Sequence, residues 1–160
     1  MNRFLPLLAA AVLAGCSNDS PDPTAEPDAT SAAAASAVLE TLQAEDIGGA
    51  ALAGELSCAF SERGADGPLL VAAADVLDGA RAEGVLRLGP STLRLRAAET
   101  GGFNAMVHGA RFTSGDLAAA VVVTSLAPLA DAESPPLPAR LEISTPSGSQ
   151  QIEGEWTCGP

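Results

Sequence analysis

The strongest constraint on this chain is a two-residue rhythm of apolar and polar side chains in short segments. From Gln151 to Cys158, Ile152, Gly154, Trp156 and Cys158 share one parity while Glu153, Glu155 and Thr157 take the other. Far upstream, Leu52, Leu56, Cys58 and Phe60 share one parity against Glu55, Ser57 and Ser61. A period of two sends alternate side chains to opposite faces of an extended strand, so both segments read as half-buried strands. Cys58 and Cys158 then both point inward, on the first and last strands of the domain.

Similar short runs at Leu69 to Ala74, Gly84 to Leu88, Thr92 to Ala97, Phe103 to Phe112, Leu117 to Leu126 and Arg140 to Thr145 read as further strands. Turn chemistry separates them at Gly89-Pro90-Ser91, Gly101-Gly102, Ser114-Gly115 and Pro146-Ser147-Gly148-Ser149, and Pro128 to Pro138 reads as a proline-rich loop. Short strands at this spacing, about seven or eight of them, predict an all-β domain, a small antiparallel barrel or sandwich. The alanine-rich runs Leu69 to Asp78 and Leu117 to Ala120 are compatible with helix as well as strand. Val38, Leu39 and Leu42 fall near a helical spacing, which predicts one short helix over Ala37 to Glu45.

The chain begins differently. Met1-Asn2-Arg3 carries one positive charge, and Phe4 to Leu13 is apolar. That run is too short for a bilayer core, which takes about 20 residues, and has the layout of an export signal. Within it Leu13-Ala14-Gly15-Cys16 resembles the lipobox of bacterial lipoproteins. The resemblance implies that residues 1–15 are removed and that Cys16 carries the lipid. Ser17, where that family uses aspartate to retain proteins in the inner membrane, implies sorting to the outer membrane, facing the periplasm. Residues 16–36 are then a tether of Ser, Pro, Asp, Glu, Thr and Ala, unable to bury enough surface to offset its ordering entropy. Its prolines bias it to an extended form that reaches up to ~60 Å at roughly 3 Å per residue. Residues 37–160 form a single β-rich domain.

With Cys16 acylated, Cys58 and Cys158 remain, and an oxidising compartment allows one intramolecular pairing. A Cys58–Cys158 disulfide would pin the first strand to the last and, in the chain-entropy account, contribute about 4.7 kcal/mol.

Eight arginines and no lysine face 20 carboxylates, giving a net charge of −12. Such a surface repels phosphate, so nucleic acid and anionic headgroups are poor partners, and the membrane is reached through the acyl anchor. One histidine, His108, falls in the expected strand Phe103 to Phe112, without a Gly-x-Ser-x-Gly elbow. No Cys-x-x-Cys pair or glycine-rich phosphate loop accompanies it, so no catalytic residue, metal or cofactor is expected. Arg94, Arg96, His108 and Arg111, with Arg87 nearby, fall on adjacent expected strands. They form a candidate basic patch for a carboxylate or acidic glycan, or else pair with neighbouring carboxylates across strands.

A lipid anchor, a small β-domain and a cysteine clamp are similar in layout to the membrane-bound inhibitors of c-type lysozyme. Their Ser-Gly-x-x-Tyr motif aligns with Ser147-Gly148-Ser149-Gln150-Gln151, with Gln151 at the tyrosine position. Gly154-Glu155-Trp156-Thr157-Cys158-Gly159 resembles the C-terminus of small Gram-negative lipoproteins and names no activity. The expectation is a lipid-anchored, non-enzymatic envelope module that binds an envelope protein or small ligand or plays a structural role. Inhibition of a hydrolase such as lysozyme is the alternative, and a periplasmic enzyme the third reading.

Overall fold

The computed structural model describes residues 38–77 and 79–160. The signal peptide expected over 1–15, the lipidated Cys16, the tether 16–36 and Ala37 lie outside the described residues. In chain order the elements are β1 (Leu39–Glu40), α1 (Ala44–Ala50), β2 (Leu56–Glu62), β3 (Pro68–Ala74), β4 (Glu83–Leu88) and β5 (Ser91–Ala97). There follow α2 (Gly102–Met106), β6 (Gly109–Ser114), β7 (Leu117–Val123), β8 (Leu137–Thr145) and β9 (Gly148–Gly159).

Strands β2 to β9 run up and down in sequence order, each antiparallel to the next, and close into an eight-stranded barrel through β9–β2 and β4–β5 pairing. Of the two architectures compatible with the sequence, the barrel is the one formed. β1 pairs Leu39 with Leu88 and Glu40 with Arg87, continuing along β4 the edge that β3 occupies from Leu70 to Ala73. At one end the connections are tight, as at Gly89-Pro90, Gly115-Asp116 and Pro146-Ser147; at the other they are long and include α2.

The barrel is solid. Trp156, Phe60, Phe112, Leu70, Leu86, Met106 and Leu141 are each at most 1 % exposed and meet inside it. Eight strands enclose a space just wide enough for side chains to fill. α2 plugs the long-loop end. Its N-terminal amides are met by the β3–β4 loop, with Gly101 and Gly102 N–H donating to Ala80 O and Phe103 N–H to Asp75 O. Gly102 has φ +55°, and a Cβ there would lie 2.2 Å from Asp75 O, so only glycine allows this approach. Met106 then enters the core, and the indole Nε1–H of Trp156 donates to Met106 O at 2.9 Å.

A second apolar cluster lies outside the barrel, where Leu42 and Ala50 cover Val71 and Val85 beside Ile47, Leu52 and Ala59. This explains the unbroken apolar run of β3. Leu70, Ala72 and Ala74 face the barrel core while Val71 faces the outer cluster, so both parities are apolar. The alanine-rich runs at 69–74 and 117–120 are therefore strand, because sheet neighbours on both sides override alanine's helical preference.

Two expectations are corrected. The helix expected over Ala37 to Glu45 is replaced by β1 and a helix displaced to Ala44–Ala50, so Gly48 and Gly49 are helical. Leu39 and Leu42 are buried in different clusters, which explains their misleading spacing. The strand expected over Phe103 to Phe112 begins only at Gly109. Phe103 to Met106 belong to α2, and His108 stands in the turn between. The apolar Phe103 and Met106 that suggested a strand are the plug's core-facing residues, spaced three apart as a helical turn requires.

Candidate functional site

The Sγ atoms of Cys58 and Cys158 lie 2.08 Å apart, disulfide distance, with Cα atoms 4.0 Å apart and a sequence separation of 100. They are direct register partners, in a ladder that pairs β2 and β9 from Ser57↔Gly159 to Glu62↔Gly154. Phe60 and Trp156, also opposite one another, stack the core next to them. Cys58 is buried and Cys158 half-buried, with its sulfur 3.9 Å from Val107 O at the end of the plug.

On the far side of the barrel, β5 alternates Leu93 and Leu95 inward with Thr92, Arg94 and Arg96 outward. β6 sends Phe112 inward and Arg111 outward. Arg96 lies opposite Thr113 in register, which makes Arg111 its diagonal neighbour at ~7–8 Å. Arg94, Arg96 and Arg111 thus form one stripe across the β5–β6 seam, as the sequence suggested. His108 does not join it on a strand. From its turn it lines, with Glu99, Arg111 and Val122, a shallow groove of about 390 Å³ along the outer face of β6 and β7. Arg87 lies on the other side of β5 and is taken up by Glu40 at 3.2 Å and Asp46 at 3.4 Å.

The stripe is unevenly neutralised. Glu83 binds Arg94 at 2.6 Å and also accepts the Ala53 N–H at 3.2 Å. That backbone donor first, and then the Arg94 guanidinium, hold the Glu83 carboxyl below its ordinary value. Asp46 is likewise held low, first by the Gln43 N–H and then by the Thr92 hydroxyl. It accepts both, at 2.9 and 2.7 Å, and so fastens α1 to β5. Among the described residues Arg96 and Arg111 make no ion pair. Cross-strand neutralisation, one of the two expectations for these arginines, therefore takes the form of ion pairs for Arg87 and Arg94; Arg96 lies opposite Glu83 in the β4–β5 register and shares its charge without forming an ion pair, and Arg111 makes none among the described residues.

The β5–β6 seam carries a feature that sequence reading missed. Ala97 N–H donates to Ala82 O in β4, while Ala98 N–H donates to Arg111 O in β6. Backbone groups alternate sides along a strand, so Ser91, Leu93, Leu95 and Ala97 face β4, whereas Thr92, Arg94 and Arg96 face β6. Yet β6 pairs with β5 only at Arg96↔Thr113 and Ala97↔Phe112, because its hairpin turns at Gly115. The β6-facing backbone N–H and C=O of Thr92 and Arg94 thus lie beyond the β5–β6 ladder. Only the relative lengths of the β4–β5 and β6–β7 hairpins could have signalled this. The first turns at Gly89-Pro90 and the second at Gly115-Asp116, and their offset becomes visible only with the register.

Fold and surface together define an eight-stranded up-and-down barrel with a filled interior, a cysteine-bridged seam and a basic stripe beside an open stretch of strand. Comparison with protein-family models, with curated proteins and with solved structures returns no match.

Proposed function

We propose that this chain is a lipid-anchored module of the bacterial cell envelope that binds a partner through its outer surface rather than performing chemistry in its interior. The observation that carries the reading is the cysteine pair across β2 and β9. Such a bond persists in oxidising compartments and is rare in the cytosol, which agrees with the export signal and lipidated Cys16 expected from Leu13-Ala14-Gly15-Cys16. The outer membrane, periplasmic side, is the proposed location, and the filled core directs attention to the outer face around Arg94, Arg96, His108 and Arg111. The test is expression of the whole chain in a Gram-negative host fed an alkyne-bearing palmitate. The expected product is labelled, begins at Cys16 by intact mass and loses both properties in Cys16→Ala. An unlabelled product that retains residues 1–15 overturns the reading.

A second reading, inhibition of a lysozyme-like hydrolase, draws support from the position of Ser147-Gly148. Ser147 lies in the exposed two-residue turn Pro146-Ser147 and Gly148 opens β9 beside it, where the Thr145 and Ser147 hydroxyls lie 2.9 Å apart. A tip of this kind could enter a cleft. Clearing of a bacterial cell-wall suspension by a basic lysozyme should slow at micromolar protein, and an unchanged rate removes this reading.

A further inference from the structure

We propose that the β6-facing edge of β5, from Ser91 to Leu95, is a docking site for an extended polypeptide segment carrying carboxylates at alternate positions. The inference deepens the reading of the outer face as the binding surface and names the chemistry of its partner.

The backbone comes first. A closed barrel ordinarily leaves no strand edge to template a foreign strand. Here closure at β5–β6 is confined to the last residues of β5, and the N–H and C=O groups of Thr92 and Arg94 point toward the gap above the β6–β7 hairpin. Two residues of one parity offer two donors and two acceptors, the pattern that an added antiparallel strand satisfies. The flanking side chains do not obstruct it, since Ser91, Thr92 and Arg94 are exposed and Leu93 is half-buried.

Charge then selects the occupant. On the outward face an incoming residue opposite Arg94 lies beside Arg94 directly and Arg96 diagonally, and Arg111 continues the stripe on β6. Arg111 makes no ion pair among the described residues, and Arg96 shares Glu83, its register partner on β4, with Arg94, which holds that carboxylate in the ion pair. Opposite charges in cross-strand positions attract, and like charges repel. A second copy of this chain adding through its own β5 would bring Arg94 and Arg96 against arginines, so self-pairing is disfavoured. The segment at 16–36 has prolines at 21, 23 and 27, which lack the N–H that strand addition uses. A separate acidic segment, with apolar residues alternating toward Leu93, satisfies both backbone and stripe.

The test uses the whole protein and a capped seven-residue peptide alternating valine and glutamate, with amide hydrogen exchange as the readout. The peptide should slow exchange at Thr92 and Arg94 while leaving the β2–β9 amides unchanged. A lysine-for-glutamate peptide should bind about ten-fold more weakly, as expected for two cross-strand charge pairs changed from attraction to repulsion. In Arg96→Glu that preference should reverse, with the melting temperature confirming the fold. N-methylation of the peptide's edge-facing nitrogens should abolish binding. No slowing at millimolar peptide, slowing elsewhere only, or equal binding of the two charge versions each overturns the proposal. Palmitate labelling of Cys16 reports on the envelope reading independently, so failure of one is not failure of the other.

Discussion

The two seams that close this barrel are built differently. Where β9 meets β2, the strands pair from Ser57↔Gly159 to Glu62↔Gly154, with a cysteine bridge and the buried Phe60–Trp156 pair on the inner side. Where β5 meets β6, the ladder is two register partners long, and its outward stripe is cationic and incompletely neutralised. Chain connectivity accounts for the contrast. β5 and β6 are joined by a local connection, residues 98–108 with α2, whereas β2 and β9 are separated by nearly the whole domain, and closure entropy grows with the length of the loop. The distant seam is therefore reinforced covalently and by its largest side chains, and the local one is left open over part of its length.

Breaking the strong seam should have the largest effect. Cys58→Ser is expected to cost about 4 kcal/mol under oxidising conditions and to lower Tm by about 10–15 °C. Under reducing conditions variant and parent should melt together, and an equal gap in both would argue against the bridge. Stapling the weak seam is the converse experiment. Arg96→Cys with Thr113→Cys, direct register partners, should raise stability by up to about 3 kcal/mol when oxidised, read as a shift in the denaturant midpoint that reducing agent erases. Trp156→Phe keeps an aromatic ring in the strong seam but leaves Met106 O without its donor, a loss of about 2 kcal/mol measurable by urea unfolding.

The smallest effect concerns pH, on the β4–β5 side of the weak seam. Asp46 and Glu83 are held below their ordinary values of 3.8 and 4.5. A carboxyl with a depressed folded-state value contributes stability that is present above its unfolded value and lost as pH falls through the folded one. Tm should therefore be flat above about pH 5 and decline below 4.5, with a shallower decline in Asp46→Asn and Glu83→Gln; parallel curves would show that these carboxylates do not couple to folding.

Much of the barrel was legible because its strands alternate. Ile152, Trp156, Cys58 and Phe60 announce their face by parity alone, and the same parity brought the two cysteines together. Legibility failed where a residue's burial came from elsewhere. Leu39 and Leu42 imitate a helix because one packs inside the barrel and the other under α1. Phe103 and Met106 imitate a strand because a five-residue helix aims them into the barrel mouth. The arginine stripe was foreseen as a set of residues on adjacent strands; His108 was wrongly assigned to a strand, and lines a groove with Arg111 from the turn before β6. Which of its members are neutralised, and that the strand beside them is unpaired, depends on hairpin lengths and register that no single segment encodes.

The placement of β1 has a further consequence. Val38 O accepts the Gly89 N–H at the tight-turn pole, whereas β9 finishes beside Ser57 at the plugged pole. Rewiring the domain as a circular permutant would need a bridge running the full height of the cylinder, about 25 Å for a strand of this length, or about eight extended residues. A reporter fused after Pro160 would accordingly sit at the opposite pole from Val38, giving the cylinder a fixed head and tail along the polypeptide.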